Sequence, residues 1–399
     1  MGTLLGALDI GSQNTTLLAG DYENGRLKIA GFATTPTAGV KKGIIRNIDH
    51  VVDCIKTVRE KLDKTCGISL YDVFASFSSA DVKAVQRRGR KSLLHGHAID
   101  ENDADEAIEN AWPTEAADAA EIHLQRFQQQ YEVDGKFVSS PLGMSGSELV
   151  ANILELTAPR SSIETLTNAL QRAGMHLHEA VFSGVAASEA VLDSEARAQG
   201  AIVIDIGAET CDLVAIHNGT MVTAGTLAVG GNHLSNDLAQ AYQLSTKQAD
   251  DIKHSRGAAV IQPDLAGERY SLRSPYIAGE RAIPVLGIQT VVTERVDETF
   301  RILHERLAML DALQHLHGNI YLTGGTAALP LIADKARDIF GMPCTVGTPL
   351  PVDCLPEEIA AESFRYATSI GLLRWGARIL AQEPRSPGLF ARLRAFLKG

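Results

Sequence analysis

Apolar positions along this chain alternate between a period of two and a period near four, and the alternation occurs twice. From Leu4 to Phe32 the pattern reads strand, turn, strand, turn, strand. Leu8-Asp9-Ile10-Gly11 ends the first strand in an acid and a glycine, a second apolar strand follows, and Asn24-Gly25 predicts a type I′ hairpin. Ile48, Val51, Val52, Ile55, Val58 and Leu62 then recur at helical spacing behind Asn47, which is placed to cap the helix. Val73 to Phe77 reads as a buried strand. The opening run returns as Ile204-Asp205-Ile206-Gly207 and a hairpin at Asn218-Gly219, about 196 residues further on. Such a duplication predicts two similar lobes across a cleft, each with a tight glycine turn and one carboxylate. Glycine lets backbone N–H groups approach phosphate closely. The acids suit a metal ion that travels with the phosphate.

Between the copies the pattern changes. Lys83 to Arg90 is a basic strand, an acidic helix starts at Glu101, a hairpin turns at Asp134-Gly135, and Leu149 to Leu156 is apolar. We read 82–156 as an inserted α+β module. A helix from Ile163 to Ala173 is stopped by Gly174, and the chain returns to the first lobe through Val181-Phe182. After the second copy, Gly230-Gly231 precedes a helical stretch from Leu234 to Tyr242. A more polar region to about Leu303 predicts a second inserted subdomain. Ile320-Tyr321-Leu322-Thr323-Gly324-Gly325 is a strand entering a glycine turn, with a helix expected from about Leu329 and a last body helix over Ser369 to Leu380.

At 399 residues the chain exceeds what one core supports, so at least two domains are expected. A net charge of −11 argues against a broad nucleic-acid surface. Five cysteines without C-x-x-C spacing predict neither a disulfide framework nor a zinc site, and a reducing cytoplasm is the simplest setting. The twelve histidines, His176, His178, His315 and His317 among them, show no metal-ligand spacing. Neither a cleavable leader nor a membrane-spanning stretch is expected.

Ala7-Leu8-Asp9-Ile10-Gly11-Ser12, Asp205-Ile206-Gly207 and Leu322-Thr323-Gly324-Gly325, in this order, resemble the two phosphate loops and the nucleotide-base loop of the actin, Hsp70 and sugar-kinase superfamily. Lys41-Lys42-Gly43-Ile44-Ile45, the module before the second loop, Ala249-Asp250 with Ile252-Lys253, and a basic amphipathic end narrow the resemblance to FtsA, the bacterial cell-division actin homologue. The resemblance covers nearly the whole chain. It implies an α/β fold with a duplicated actin-like, ribonuclease H-like core of two lobes around a nucleotide cleft, carrying small inserted α+β subdomains. The first core subdomain is expected over 1–81 and 157–198, the insert over 82–156, the second core subdomain over 199–236 and 304–383, and a cleft-capping subdomain over 237–303. A linker and membrane-targeting helix would fill 384–399.

By the same resemblance, Gly11, Ser12, Gln13, Asn14, Gly207, Ala208, Thr210, Asp250, Lys253, Gly324, Gly325 and Thr326 would bind ATP. Asp9 and Asp205 would order Mg²⁺ through water, and Asp9, Asp205 and Glu209 are the candidates for any catalytic role. As neighbours on a helix face, Asp250 and Lys253 also fit a plain ion pair. Ala208-Glu209 stands where relatives carry a run of glycines. That exchange predicts weakened binding and idle catalysis or, if Glu209 faces the metal, help with hydrolysis. Implied partners are the C-terminal tail of FtsZ, other copies of the chain, anionic inner-membrane lipid and, through the insert, other division proteins, but no nucleic acid. The implied setting is the cytoplasmic face of the inner membrane at the division site. Around Thr290 to Arg301 the Glu-Pro-Arg run of close relatives is missing, so no FtsZ contact residues are assigned.

In the tail, Leu389, Phe390, Leu393, Phe396 and Leu397 form one apolar stripe opposite Arg392 and Lys398, behind Pro387. As a helix this segment extends only about 16 Å, so it would lie in a membrane interface instead of crossing it. The alternative adaptor is a relative of PilM, the actin-like protein of type IV pilus machines. A sugar kinase would need an aspartate base beside a sugar pocket, and a chaperone a separate peptide-binding domain; neither has a counterpart in the sequence.

Overall fold

Both Asn-Gly pairs turn the chain as their backbone freedom allows: φ is 52° and 79° at Asn24 and Gly25, and 51° and 76° at Asn218 and Gly219. These left-handed values are what a type I′ turn requires. A computed structural model describes residues 2–94, 96–112, 120–272, 281–309 and 318–382. The tail helix expected at Leu389 to Lys398, with Phe390, Arg392, Leu393, Phe396 and Leu397, lies outside the described residues, as do His315 and His317.

In chain order the elements are β1 (Thr3–Ile10), β2 (Asn14–Glu23), β3 (Arg26–Pro36), β4 (Val40–Lys41), β5 (Ile44–Ile45), α1 (Ile48–Cys66) and β6 (Asp72–Phe77). The insert supplies β7 (Lys83–Ser92), α2 (Glu101–Glu109), β8 (Glu121–Val133), β9 (Lys136–Val138) and β10 (Glu148–Pro159). Next come α3 (Arg160–Arg172), β11 (His176–Phe182), α4 (Ser183–Val191) and α5 (Ser194–Gln199). The second copy holds β12 (Ala201–Ile206), β13 (Cys211–His217), β14 (Thr220–Leu227), α6 (Gly231–Tyr242) and α7 (Thr246–Arg256). The remainder is β15 (Arg269–Leu272), β16 (Arg281–Pro284), α8 (Val285–Met309), β17 (Asn319–Thr323), α9 (Ile332–Phe340), β18 (Cys344–Val346), α10 (Glu357–Ala360) and α11 (Ala367–Gln382).

These elements gather into two compact units. One takes the chain up to Phe77, Thr165–Leu192 and the residues from Gly347 onward; the other takes Ser78–Glu164 and Asp193–Val346. In the first, the sheet order is β3-β2-β1-β6-β11, with β1 antiparallel to β2 and parallel to β6. Helix α1 packs on β2 and β3, and α11 packs on β1, β2, β6 and α4. Leu8, Leu17, Leu18, Ile55, Leu62 and Phe182 are fully buried in this core. Asn47 caps α1 by accepting the His50 N–H at 3.2 Å.

The second unit repeats the plan as β14-β13-β12-β17-β18, with β12 antiparallel to β13 and parallel to β17. Its other large sheet, β7-β10-β8-β9, carries α2 over a core of Ile99, Ala104, Ala107, Tyr131, Val133, Leu149 and Ala151. This inserted sheet contacts β14, and Gln129 Nε2 donates to the Met221 carbonyl at 3.0 Å. The basic residues of β7 face acids on neighbouring elements: Arg87 pairs with Glu155 at 2.9 Å, Arg88 with Glu132 at 2.7 Å and Lys91 with Asp103 at 2.9 Å. One expected boundary moves. The helix expected from about Leu329 starts at Ile332, because Gly325–Ala328 forms a 3-10 turn and Pro330 holds Leu329 in an extended conformation.

Candidate functional site

Each unit closes its glycine turn in the same way. In the first, the Gly11 N–H donates to the Asn14 carbonyl at 3.0 Å, and the Gln13 carbonyl accepts the Thr37 N–H at 3.0 Å. Gly11 and Ser12 are half-buried at the turn, while Gln13 and Asn14 are exposed. Asp9 sits just before this turn on β1 and retains partial exposure. Ser76, on the neighbouring strand β6, donates to Asp9 Oδ1 at 2.7 Å and accepts the Ile10 N–H at 3.1 Å. Burial raises the Asp9 carboxyl above its ordinary range, and the hydroxyls of Ser76 and Ser369 pull it part of the way back. Ser369 Oγ lies buried near it and, among the described residues, meets hydrogen-bond geometry to no group.

In the second unit the Gly207 N–H donates to the Thr210 carbonyl at 2.8 Å. The Gly207 carbonyl accepts from the Gly231 N–H at 3.0 Å and from Thr326 Oγ1 at 2.9 Å, and the Ala208 carbonyl accepts from the Asn232 N–H at 2.7 Å. Lys253 Nζ donates to the Gly231 carbonyl at 3.2 Å, Ser235 Oγ at 2.9 Å and Asp250 Oδ1 at 2.6 Å. Burial alone would raise the Asp250 carboxyl, but Lys253, together with the Ser235 hydroxyl and His254, holds it below the ordinary range. Gly207, Ala208, Thr210, Asp250, Lys253 and Thr326 therefore join one hydrogen-bonded network, with Gly231 and Ser235 as its centre. Gly324 and Gly325 form the turn beside it, and Glu209 is half-buried in the same loop as Ala208.

Close approach of neighbouring atoms requires glycine at positions 230 and 324, among others. A Cβ at Gly230 would lie 2.6 Å from the Gly207 carbonyl oxygen. At Gly324, where φ is 84° and ψ 168°, it would lie 2.2 Å from Asp205 Oδ1. Below the loop lies a small, largely apolar hollow bordered by Ile206, Leu234, Phe300 and Ile332.

Asp212 escaped the sequence reading. The β12–β13 ladder sets it directly opposite Asp205, so the two acids share a face of the sheet. Asp212 is 3% exposed, and its Oδ1 accepts from Ser78 Oγ at 2.8 Å and Thr226 Oγ1 at 2.6 Å. In the first unit the residue opposite Asp9 is Thr16, so the acid pair belongs to the second copy alone. Gly230, Gly231, Ser235 and Ser76 were also missed as site residues. The detectable signals were the doubled glycine and an acid seven residues after Asp205, the spacing that pairs strands across a four-residue turn.

Among the described residues, His97, Asp100 and Asp103 bring possible ligand atoms within 4.8 Å of one another. Asp103 is already paired with Lys91 at 2.9 Å, and Asp100 and Asp103 cap α2 reciprocally. This group is a helix cap tied to an ion pair.

Two sheets of matching order, each ending its central strand in an acid and a closed glycine turn, define an actin-like protein. A family model described as cell division protein FtsA matches residues 202–371, and one described as type IV pilus assembly protein PilM matches residues 7–259. Cell division protein FtsA of Pseudomonas aeruginosa is 26% identical over 415 residues, covering 100% of this chain and 98% of that protein. Among solved structures, the PilM–PilN type IV pilus biogenesis complex matches with a TM-score of 0.67 at 16% identity, over 94% of this chain and 99% of that one. MreB5 of Spiroplasma citri bound to ADP matches with a TM-score of 0.57 at 14% identity, over 96% and 99%. The chain is thus similar to cell division proteins FtsA over nearly its whole length, and the PilM model matches more than half of it.

Proposed function

We propose that this protein is an ATP-binding, polymerising adaptor that links the FtsZ division ring to the cytoplasmic face of the inner membrane. The observation that carries the nucleotide part is the duplicated turn, closed at 3.0 Å between Gly11 and Asn14 and at 2.8 Å between Gly207 and Thr210. The donor chemistry fits Mg²⁺: Asp9 in one unit and Asp205 with Asp212 in the other offer hard carboxylate oxygens, and Gly230 and Gly324 keep Cβ atoms away from the second loop. Bound Mg²⁺ would neutralise phosphate charge. The backbone of Gly11 to Asn14 and of Gly207 to Thr210 would cradle the phosphates, and Gly324 to Thr326 would face the adenosine. Asp250 and Lys253 would act by holding Gly231 and Ser235 in place. Binding here serves a filament-competent state more than rapid turnover.

Attachment to lipid is assigned to Leu389, Phe390, Leu393, Phe396 and Leu397 with Arg392 and Lys398. Each basic residue near anionic lipid contributes about 1 kcal/mol, so a single tail binds reversibly. A filament presenting many tails binds firmly through avidity. Similarity to cell division proteins FtsA over nearly the whole chain supports this reading, and the FtsZ tail peptide is the expected partner. Liposome co-sedimentation of the full chain and of a chain ending at Pro384, with and without Mg-ATP, tests it. Equal pelleting of both forms on anionic vesicles would remove the anchor role. The match of the PilM model over residues 7–259 favours a second reading, an actin-fold scaffold of a pilus or secretion machine. Nucleotide-independent pelleting, with no competition by FtsZ tail peptide in a pull-down, would favour it.

A further inference from the structure

Helices α2, α6 and α7, all in the second unit, begin with the same closure, in which the third helical residue takes back the N–H of the residue before the helix. In α2 the acceptor is a carboxylate, Asp103 Oδ2 taking the Asp100 N–H at 3.0 Å, and in α7 an amide, Gln248 Oε1 taking the Ser245 N–H at 3.1 Å. In α6 it is an imidazole: His233 Nδ1 accepts the Gly230 N–H at 3.1 Å. This is the helix that holds the second glycine turn. Its first two N–H groups, of Gly231 and Asn232, donate to the Gly207 carbonyl at 3.0 Å and the Ala208 carbonyl at 2.7 Å. A trans peptide sets its N–H opposite its carbonyl, so the N–H groups of Ala208 and Glu209 face away from α6. Gly230 sits so close to the turn that a Cβ on it would lie 2.8 Å from the Ala208 carbonyl oxygen.

We propose that His233 is a positioning residue for a phosphate group at this turn: it fixes Gly230 as an acid would, without setting a negative charge beside the phosphate. The proposal rests on the Mg-ATP reading above, and every residue it uses lies in the second unit. With Nδ1 accepting, the neutral ring carries its proton on Nε2 and adds no charge. A carboxylate at 233 would close the same N–H, as Asp103 does in α2, but it would stand with Glu209 of the turn against the phosphate oxygens. His233 does not need to touch the ligand. A plain helix cap is served equally well by acid, amide or imidazole, so the charge of the side chain separates the two roles.

The test measures Mg-ATP affinity of the full chain for wild type, His233→Asn, His233→Asp and His233→Ala, with melting of the nucleotide-free protein as control. Asparagine offers an acceptor at the same branch point as Nδ1, so His233→Asn should bind within about twofold of wild type. His233→Ala leaves the Gly230 N–H without its acceptor and should weaken binding roughly fivefold, the scale of a lost helix cap. His233→Asp should melt no earlier than His233→Asn yet bind roughly tenfold more weakly, and the gap between them should narrow as salt is raised. Equal affinity in all four proteins, asparagine as poor as alanine, or aspartate as good as asparagine would overturn the proposal while leaving the Mg-ATP reading intact. Wild-type protein that binds no Mg-ATP would overturn both. If His233→Ala melts early, the comparison of aspartate with asparagine decides the matter alone.

Discussion

Replacing Gly324 by alanine should be among the most damaging single-methyl changes in the second unit. The residue sits at φ 84° and ψ 168°, a region essentially confined to glycine, where another residue costs about 1–3 kcal/mol. The added Cβ would also fall 2.2 Å from Asp205 Oδ1 and 2.7 Å from the Ile206 carbonyl oxygen, so acid or backbone must move. Overpacking of this kind costs about 1–3 kcal/mol more. The sum is about 4 kcal/mol. Gly219→Ala is the control in the same unit: its φ is 76°, but nothing lies within 4 Å of the new Cβ, so only about 1 kcal/mol is expected. The chain has two tryptophans, Trp112 in the second unit and Trp375 in the first. In a Trp375→Phe background, Trp112 fluorescence followed through a urea titration reports the second unit. A gap of about 3 kcal/mol between the two variants is the expected result. Equal destabilisation would refute the close packing of Gly324 against Asp205.

Asp9→Asn should stabilise the first unit at pH 7, since burial raises the carboxyl and its ionisation opposes folding there. The sign follows from linkage: with a raised folded pKa, the unfolded chain ionises first, so wild type loses stability as pH climbs above about 3.9. The advantage of the asparagine should therefore fade below about pH 4, read by Trp375 fluorescence in a Trp112→Phe background; a gain that persists in acid would contradict this. Asp103 shows the opposite sign. Its own cap hydrogen bond from the Asp100 backbone and its pairing with Lys91 hold its carboxyl well below the ordinary range. Its contribution is thus full at neutral pH and lost in acid. Asp103→Asn should destabilise the insert clearly more than Glu106→Gln, whose side chain is 59% exposed beside the same lysine. Matched effects in urea unfolding would count against that ranking. Lys253→Met should cost about 2–3 kcal/mol by leaving Asp250 without its charged partner, whereas an unchanged urea midpoint would show the network at Gly231 to be unimportant.

Features carried by local backbone chemistry were legible in the sequence. Asn-Gly pairs must turn, Asn47 can cap, and Asp250 and Lys253 three apart must share a face, so these needed no knowledge of distant residues. Pairing partners were less accessible. The basic run of β7 was legible as a strand but its partners were not: Arg87 and Arg88 are matched by Glu155 and Glu132, acids more than forty residues along the chain. Asp212 drew no reading from the sequence, because its hydroxyl donors, Ser78 and Thr226, come from elsewhere. Lys253 was legible as an ion-pair partner, but its bond to the Gly231 carbonyl depends on how α6 and α7 pack. The helix start expected at Leu329 failed for a local reason that could have been seen, the proline at position 330.

The most direct measurement is calorimetric titration of the full chain with ATP in the presence of Mg²⁺, repeated with Asp205→Asn and in EDTA. One ATP per chain is expected, with binding weakened in both controls. Absence of binding at millimolar ATP, or binding indifferent to Asp205 and to magnesium, would contradict the assignment of the two acid–glycine turns to a magnesium nucleotide.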